Sequence, residues 1–143
     1  MASAESYREA RVLLITEDGS FSALLQSIAI ASGWTFESVR TVQDGTAALG
    51  ADSQRLVVYD WDTSRDDWRE ALDTLALLPG RPCILLSSPV VDEYLREEVM
   101  RYHGYDVLPR SGNRDEIIRT VSFAWFWAQL GGKDRDMRRD GQN

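Results

Sequence analysis

Lysine is almost absent from this chain: the only one, Lys133, lies in a polar C-terminal stretch. With a net charge of −7 as well, the sequence argues against a nucleic-acid surface, which needs clustered Lys and Arg to displace phosphate counterions. Cysteine is equally scarce. Cys83 stands alone, which rules out an intramolecular disulfide framework and any Cys-x-x-Cys metal site; it precedes an apolar run and reads as plain core. A single histidine, His103, leaves little scope for a hydrolytic triad or a zinc site. Its place before Gly104, at the end of a helical pattern, suits a structural role beside the helix dipole. No Gly-rich phosphate loop of either common spacing occurs. No window approaches the roughly 18 apolar residues of a membrane span, and residues 1–9 are too polar for a signal peptide. A cytoplasmic protein with neither a membrane nor a nucleic-acid partner is expected.

What the chain does hold is a regular alternation of strands and helices. The organising stretch runs from Arg55 to Asp62, where Leu56, Val57, Val58 and Tyr59 form a short apolar run typical of a strand buried on both faces. Asp60 ends it. Residues Arg11 to Thr16 read as another buried strand, followed at once by Glu17 and Asp18. Phe21, Leu24, Leu25 and Ile28 then recur at helical spacing until Gly33. Trp34 to Ser38 alternates like a half-exposed edge strand, and Thr41 to Leu49 makes at best a short helix. Ser64 and Asp67 resemble a capping box before a helix with Trp68, Ala71, Leu72 and Leu75 inward. Strands at Cys83 to Leu86 and Tyr105 to Leu108 flank a charged helix from Val91 to Tyr102. Asn113 and Glu116 open a last helix reaching about Leu130. Residues 1–9 are expected to be frayed, 10–130 to form one domain, and 131–143 to be a polar tail.

Such alternation implies an α/β fold, a doubly wound flavodoxin-like (βα)5 domain whose five parallel strands have the order 2-1-3-4-5. In that order the ends of strands one and three are neighbours, so Glu17, Asp18 and Asp60 are expected to converge. Asp60 alone would equally suit a turn or a helix cap. Three carboxylates in one crevice repel, and a hard divalent cation such as Mg²⁺ is the usual relief. A carboxylate beside that cation could act as a nucleophile toward phosphorus.

At this point the chain resembles the receiver domain of bacterial response regulators, of the chemotaxis-regulator kind, over roughly residues 10 to 130. The resemblance is carried by Thr16-Glu17-Asp18, Tyr59-Asp60-Trp61-Asp62, Leu86-Ser87-Ser88 and Gly104 to Pro109, each at the end of a strand or within the last one. It implies that Asp60 is the phosphoacceptor, and that Glu17, Asp18, Asp60 and the backbone carbonyl of Asp62 hold Mg²⁺. It further implies that Ser87 and Tyr105 form a switch pair. The chain departs from the family in having Leu108 where a lysine precedes the proline of strand five. It also has Ser64 and Trp68 in place of a proline and a glycine after the acceptor. Losing the lysine removes a charge-assisted contact worth about 1.5–3 kcal/mol. Arg110 could reach the same side in an extended chain, although Pro109 redirects the backbone.

On the last helix Ile117, Ile118, Val121, Ala124, Trp125 and Ala128 share one face, taken as the core face. Phe123, Phe126, Trp127 and Leu130 gather on the other and are expected to face solvent as a partner or homodimer surface. The function expected is thus a receiver-like signalling module of a two-component phosphorelay with a degenerate pocket. It would bind a histidine kinase or another signalling protein rather than act as an enzyme. The alternatives are an ordinary phosphorylatable receiver, a small Mg²⁺-dependent phosphotransfer enzyme, and a flavin-binding electron carrier of similar topology.

Overall fold

Apolar runs too short for helices and too continuous for one-sided sheets need cover on both faces, and a parallel sheet between two helical layers supplies it. The computed structural model describes residues 10–50, 55–61 and 67–142, with side chains up to residue 130. Strands β1 (Arg11–Ile15), β2 (Thr35–Val39), β3 (Leu56–Asp60), β4 (Cys83–Ser88) and β5 (Asp106–Pro109) alternate with helices α1 to α5. The helices are α1 (Gly19–Ser32), α2 (Val42–Leu49), α3 (Trp68–Ala76), α4 (Glu93–Arg101) and α5 (Arg114–Gln142). All pairings are parallel, in the order β2-β1-β3-β4-β5.

Because strand side chains alternate between faces, each strand feeds two cores. Leu14, Leu56, Val58, Leu85 and Leu108 pack under α1 and α5, against Leu25, Ile28, Val121 and Trp125. Leu13, Val57, Tyr59, Leu86 and Val107 pack under the other helices, against Leu49, Trp68, Leu72 and Val99. The expected core face of α5 holds: Ile117, Val121, Ala124 and Trp125 are buried. Edge strand β2 is half-exposed, and its Glu37 pairs with Arg55 at 2.6 Å.

Helix ends follow their polar residues. Asp18 caps α1 by accepting from the amides of Ser20 and Phe21, and Gly33 ends it in the left-handed conformation, at φ 77°. Asn113 accepts from the Glu116 amide at 2.8 Å, as the sequence implies.

Most boundaries shift from expectation by a residue or two, and three of the differences bear on the site or the tail. Helix α3 starts at Trp68 with Asp67 as its cap, so Asp67 takes the N-cap place expected for Ser64, which lies outside the described residues. Strand β4 runs on through Ser87 and Ser88 rather than stopping before them. Helix α5 does not stop near Leu130 but continues to Gln142. Gly131 and Gly132 cost the helix about 1 kcal/mol each without terminating it. No helix among the described residues is long and apolar enough to cross a membrane.

Candidate functional site

Strand register aligns one row of residues across the C-terminal edge of the sheet. Asp60 lies opposite Ser87, and Ser87 opposite Leu108. Thr16 follows Ile15, whose partner Tyr59 precedes Asp60, so it joins the row from β1. The row borders a cleft of about 570 Å³ lined by Thr16, Glu17, Asp18, Arg40, Thr41, Asp60 and Arg110, among others.

Asp60 is the centre of this cleft, with its side chain only 3% exposed. A carboxylate this buried must have its oxygens satisfied. The Thr16 hydroxyl donates to its Oδ2 at 2.7 Å, and the Ser87 hydroxyl to its Oδ1 at 2.5 Å. Arg110 Nη1 also donates to Oδ1, at 3.0 Å. The other arm of the same guanidinium pairs with Asp18 Oδ2, and the guanidinium carbon stacks 5.0 Å from the centre of the Phe21 ring. Thr16 also receives the Asp18 amide on its hydroxyl at 2.9 Å, which ties the start of α1 to the same network.

Of the two readings that the sequence left open at strand five, the structure brings Arg110 over Asp60. Leu108 is fully buried among the apolar side chains beneath the cleft and offers no polar contact. Arg110 brings the charge instead. Its amide bonds to the Ser88 carbonyl at 2.9 Å, which holds the chain beside β4 past Pro109 and aims the long side chain over Asp60.

The expected metal ligands fare differently. Glu17, Asp18 and Asp60 do line one cleft, but among the described residues they form no cluster of three or more groups able to hold a metal ion. Asp62 lies outside the described residues. The donor set explains the misfit. Asp18 Oδ1 accepts from the Ser20 and Phe21 amides and Oδ2 from Arg110, while both oxygens of Asp60 accept from hydroxyls or the guanidinium. With a guanidinium spanning the two carboxylates, the residues present do not suit Mg²⁺: the site already contains a positive charge and no carboxylate oxygen of the pair lacks a donor.

Tyr105 lies outside this network. Its ring packs 4.8 Å from that of Trp127 on α5, and burial pushes its phenol above the usual range, helped by nearby Cys83 and Asp106. Ser87 and Tyr105 thus belong to two different regions. Tyr105 borders a second groove of about 410 Å³, shared with Asp106, Arg119, Phe123, Phe126, Trp127 and Leu130. The α5 stripe proves uneven: Phe123 and Leu130 are 56% and 63% exposed, whereas Trp127 is partly buried against the core. The expected solvent-facing stripe thus holds for Phe123 and Leu130 but not for Trp127.

Behind Asp60 the chain is aromatic. Trp61 meets Trp68 edge-on at 6.1 Å, Trp68 meets Tyr102 at 6.0 Å, and Arg69 lies 4.5 Å from the centre of the Trp68 ring. Trp68, where the family has a small residue, is a core anchor just 2% exposed.

Neither a protein-family model nor a curated protein matches the sequence. Solved structures do match the fold. The chemotaxis response regulator CheY4 of Vibrio cholerae superimposes with a TM-score of 0.72 at 13% identity, over 81% of this chain and 98% of that one. The receiver domain of a putative LuxO repressor protein from Vibrio parahaemolyticus gives a TM-score of 0.74 at 17% identity, over 87% and 95% of the two chains. The receiver domain of the response regulator Ssk1 from Saccharomyces cerevisiae, crystallised with the histidine phosphotransfer protein Ypd1, gives 0.72 at 12% identity, over 85% and 92%. The strand order and the four crossovers agree with these structures, and the chain has the fold of the response regulator receiver domain.

Proposed function

We propose that this chain is a receiver-like signalling module of a two-component phosphorelay, cytoplasmic, working by binding other proteins and not as an enzyme, with weak or absent phosphorylation of Asp60. The observation that carries the reading is the seating of Asp60: a buried carboxylate at the C-terminal end of the central strand, in a polar cleft of a receiver fold. Binding sites of open α/β sheets lie in this position. The partner classes that fit are a histidine kinase or another signalling protein, by analogy with the Ssk1 receiver and its bound phosphotransfer protein. A second copy of the chain docked on the α5 stripe would supply a homodimer. Weak phosphorylation is supported by the crowding of Asp60, whose oxygens already accept three hydrogen bonds. An incoming phosphoryl group would have to displace at least one of them.

Incubation with acetyl phosphate and Mg²⁺, followed by mass spectrometry, tests the reading. A slow, low-yield adduct lost in Asp60→Asn is expected. Stoichiometric, long-lived modification would favour the second reading, an ordinary phosphorylatable receiver, for which the Ser87 hydroxyl beside Asp60 is the supporting contact.

A further inference from the structure

The receiver reading of the cleft brings a divalent cation with it, and the residues around Asp60 disagree. Arg110 bridges Asp18 and Asp60 with its two Nη atoms, the space a cation would need in order to touch both carboxylates. Three features hold it there. Phe21 underlies the guanidinium, the Arg110 amide is fixed to Ser88, and the side chain is only 26% exposed. A planar fork with two outward N–H pairs suits two carboxylates at once, which a point-like ammonium on a shorter reach would not.

We propose that Arg110 is the resident cation of this cleft and replaces the metal ion, so that the carboxylate pair is neutralised from within the chain and does not bind Mg²⁺ while Arg110 is seated. The proposal rests on the receiver reading only for the expectation of a metal. The bridge itself belongs to this chain. Electrostatically the replacement is direct: a divalent ion brought between Asp18 and Asp60 would face a full positive charge a few ångströms away, and like charges at that range repel strongly even in a partly solvated cleft. Removing the guanidinium inverts the balance. Asp18 and Asp60 would then be two carboxylates with one fewer donor each, near Glu17, in a cleft open to solvent. The capacity for a metal is thus latent in the donor set and suppressed by one side chain.

The experiment uses the full chain and Mg²⁺ alone, followed by the amide NMR signals of Asp18, Trp61 and Arg110, with far-ultraviolet circular dichroism to confirm folding. In the unmutated protein these signals should not move in a saturable way at millimolar Mg²⁺. In Arg110→Ala they should, with an affinity gain of about tenfold or more, and the response should vanish in Arg110→Ala combined with Asp18→Ala. Arg110→Gln, which keeps the stem and loses the charge, serves if the alanine variant does not fold. Saturable Mg²⁺ binding by the unmutated chain, abolished by Asp18→Ala, would overturn the proposal whatever the variants do. An absent response in a folded Arg110 variant would overturn it as well. Neither outcome touches the signalling reading, which stands or falls on partner binding and on the acetyl phosphate experiment.

Discussion

The Asp60 cleft and the groove between β5 and α5 are comparable in size, about 570 and 410 Å³, yet their chemistry is opposed. In the cleft the buried carboxylate has a donor on each oxygen, and the guanidinium it faces is shared with a second carboxylate. In the groove, Phe123 and Leu130 leave more than half of their surface in water. In the first region Asp18 and Asp60 are paired within the chain; in the second Trp127 packs on Tyr105 while Phe123 and Leu130 remain largely in water. A partner would gain more free energy from covering the groove than from opening the cleft.

Breaking the cleft should give the largest effect. Arg110→Ala leaves Asp60 buried with two hydroxyl donors and no cation, and should lower unfolding stability by about 2 kcal/mol, less than a fully buried pair because Arg110 is partly exposed. Chemical denaturation measures this. In a double-mutant cycle with Asp60→Asn the two losses should not add. Additive losses would mean that the bridge contributes nothing to the fold.

That cleft also shows how far the sequence could be read. The buried strands, their order and the meeting of Asp18 with Asp60 follow from apolar runs ending in acids, a pattern local enough to see in one chain. Arg110 was visible only as a side chain of sufficient length, because its direction depends on how the backbone leaves Pro109, which the hydrogen bond to Ser88 decides. Leu108 poses a related problem. Its identity announced a missing charge, but charge in a cleft is a property of whatever reaches it. For Trp127, helical periodicity assigned a face and missed that a large ring can lean back over Tyr105 from the border of that face.

The groove should respond in two grades. Trp127→Ala removes the ring contact with Tyr105 and should cost about 1–2 kcal/mol. Phe123→Ser with Leu130→Ser, at exposed positions, should change stability by no more than about 0.5 kcal/mol per site. If the groove is an interface between copies, sedimentation should show association for the unmutated chain and a monomer for the double variant, with modest affinity because ordering offsets part of the burial. A monomer in both cases at high concentration would remove the homodimer.

The smallest effect is a titration. Burial raises the Tyr105 phenol above its ordinary 10.0, with Cys83 and Asp106 adding to the shift. The folded state therefore holds this proton more tightly than the unfolded chain. The resulting stability is complete below the ordinary value and is lost as pH rises through the folded one. Ultraviolet difference spectra, with Tyr105→Phe to assign the signal, should show Tyr105 titrating above its ordinary value, and Trp127→Ala, which uncovers the ring, should lower it.

The two borders of the sheet narrow the ways in which this protein can join another. Strand β2 presents Glu37, clasped to Arg55, and exposes most of its residues, while β5 spans four residues and ends in Pro109, which has no amide hydrogen to offer. A stray strand laid against either border would meet a charge on one side and a missing donor on the other. Growth of the sheet from molecule to molecule, the route to fibres and to swapped strands, is thereby discouraged. Contacts made by helices remain, and these can be undone.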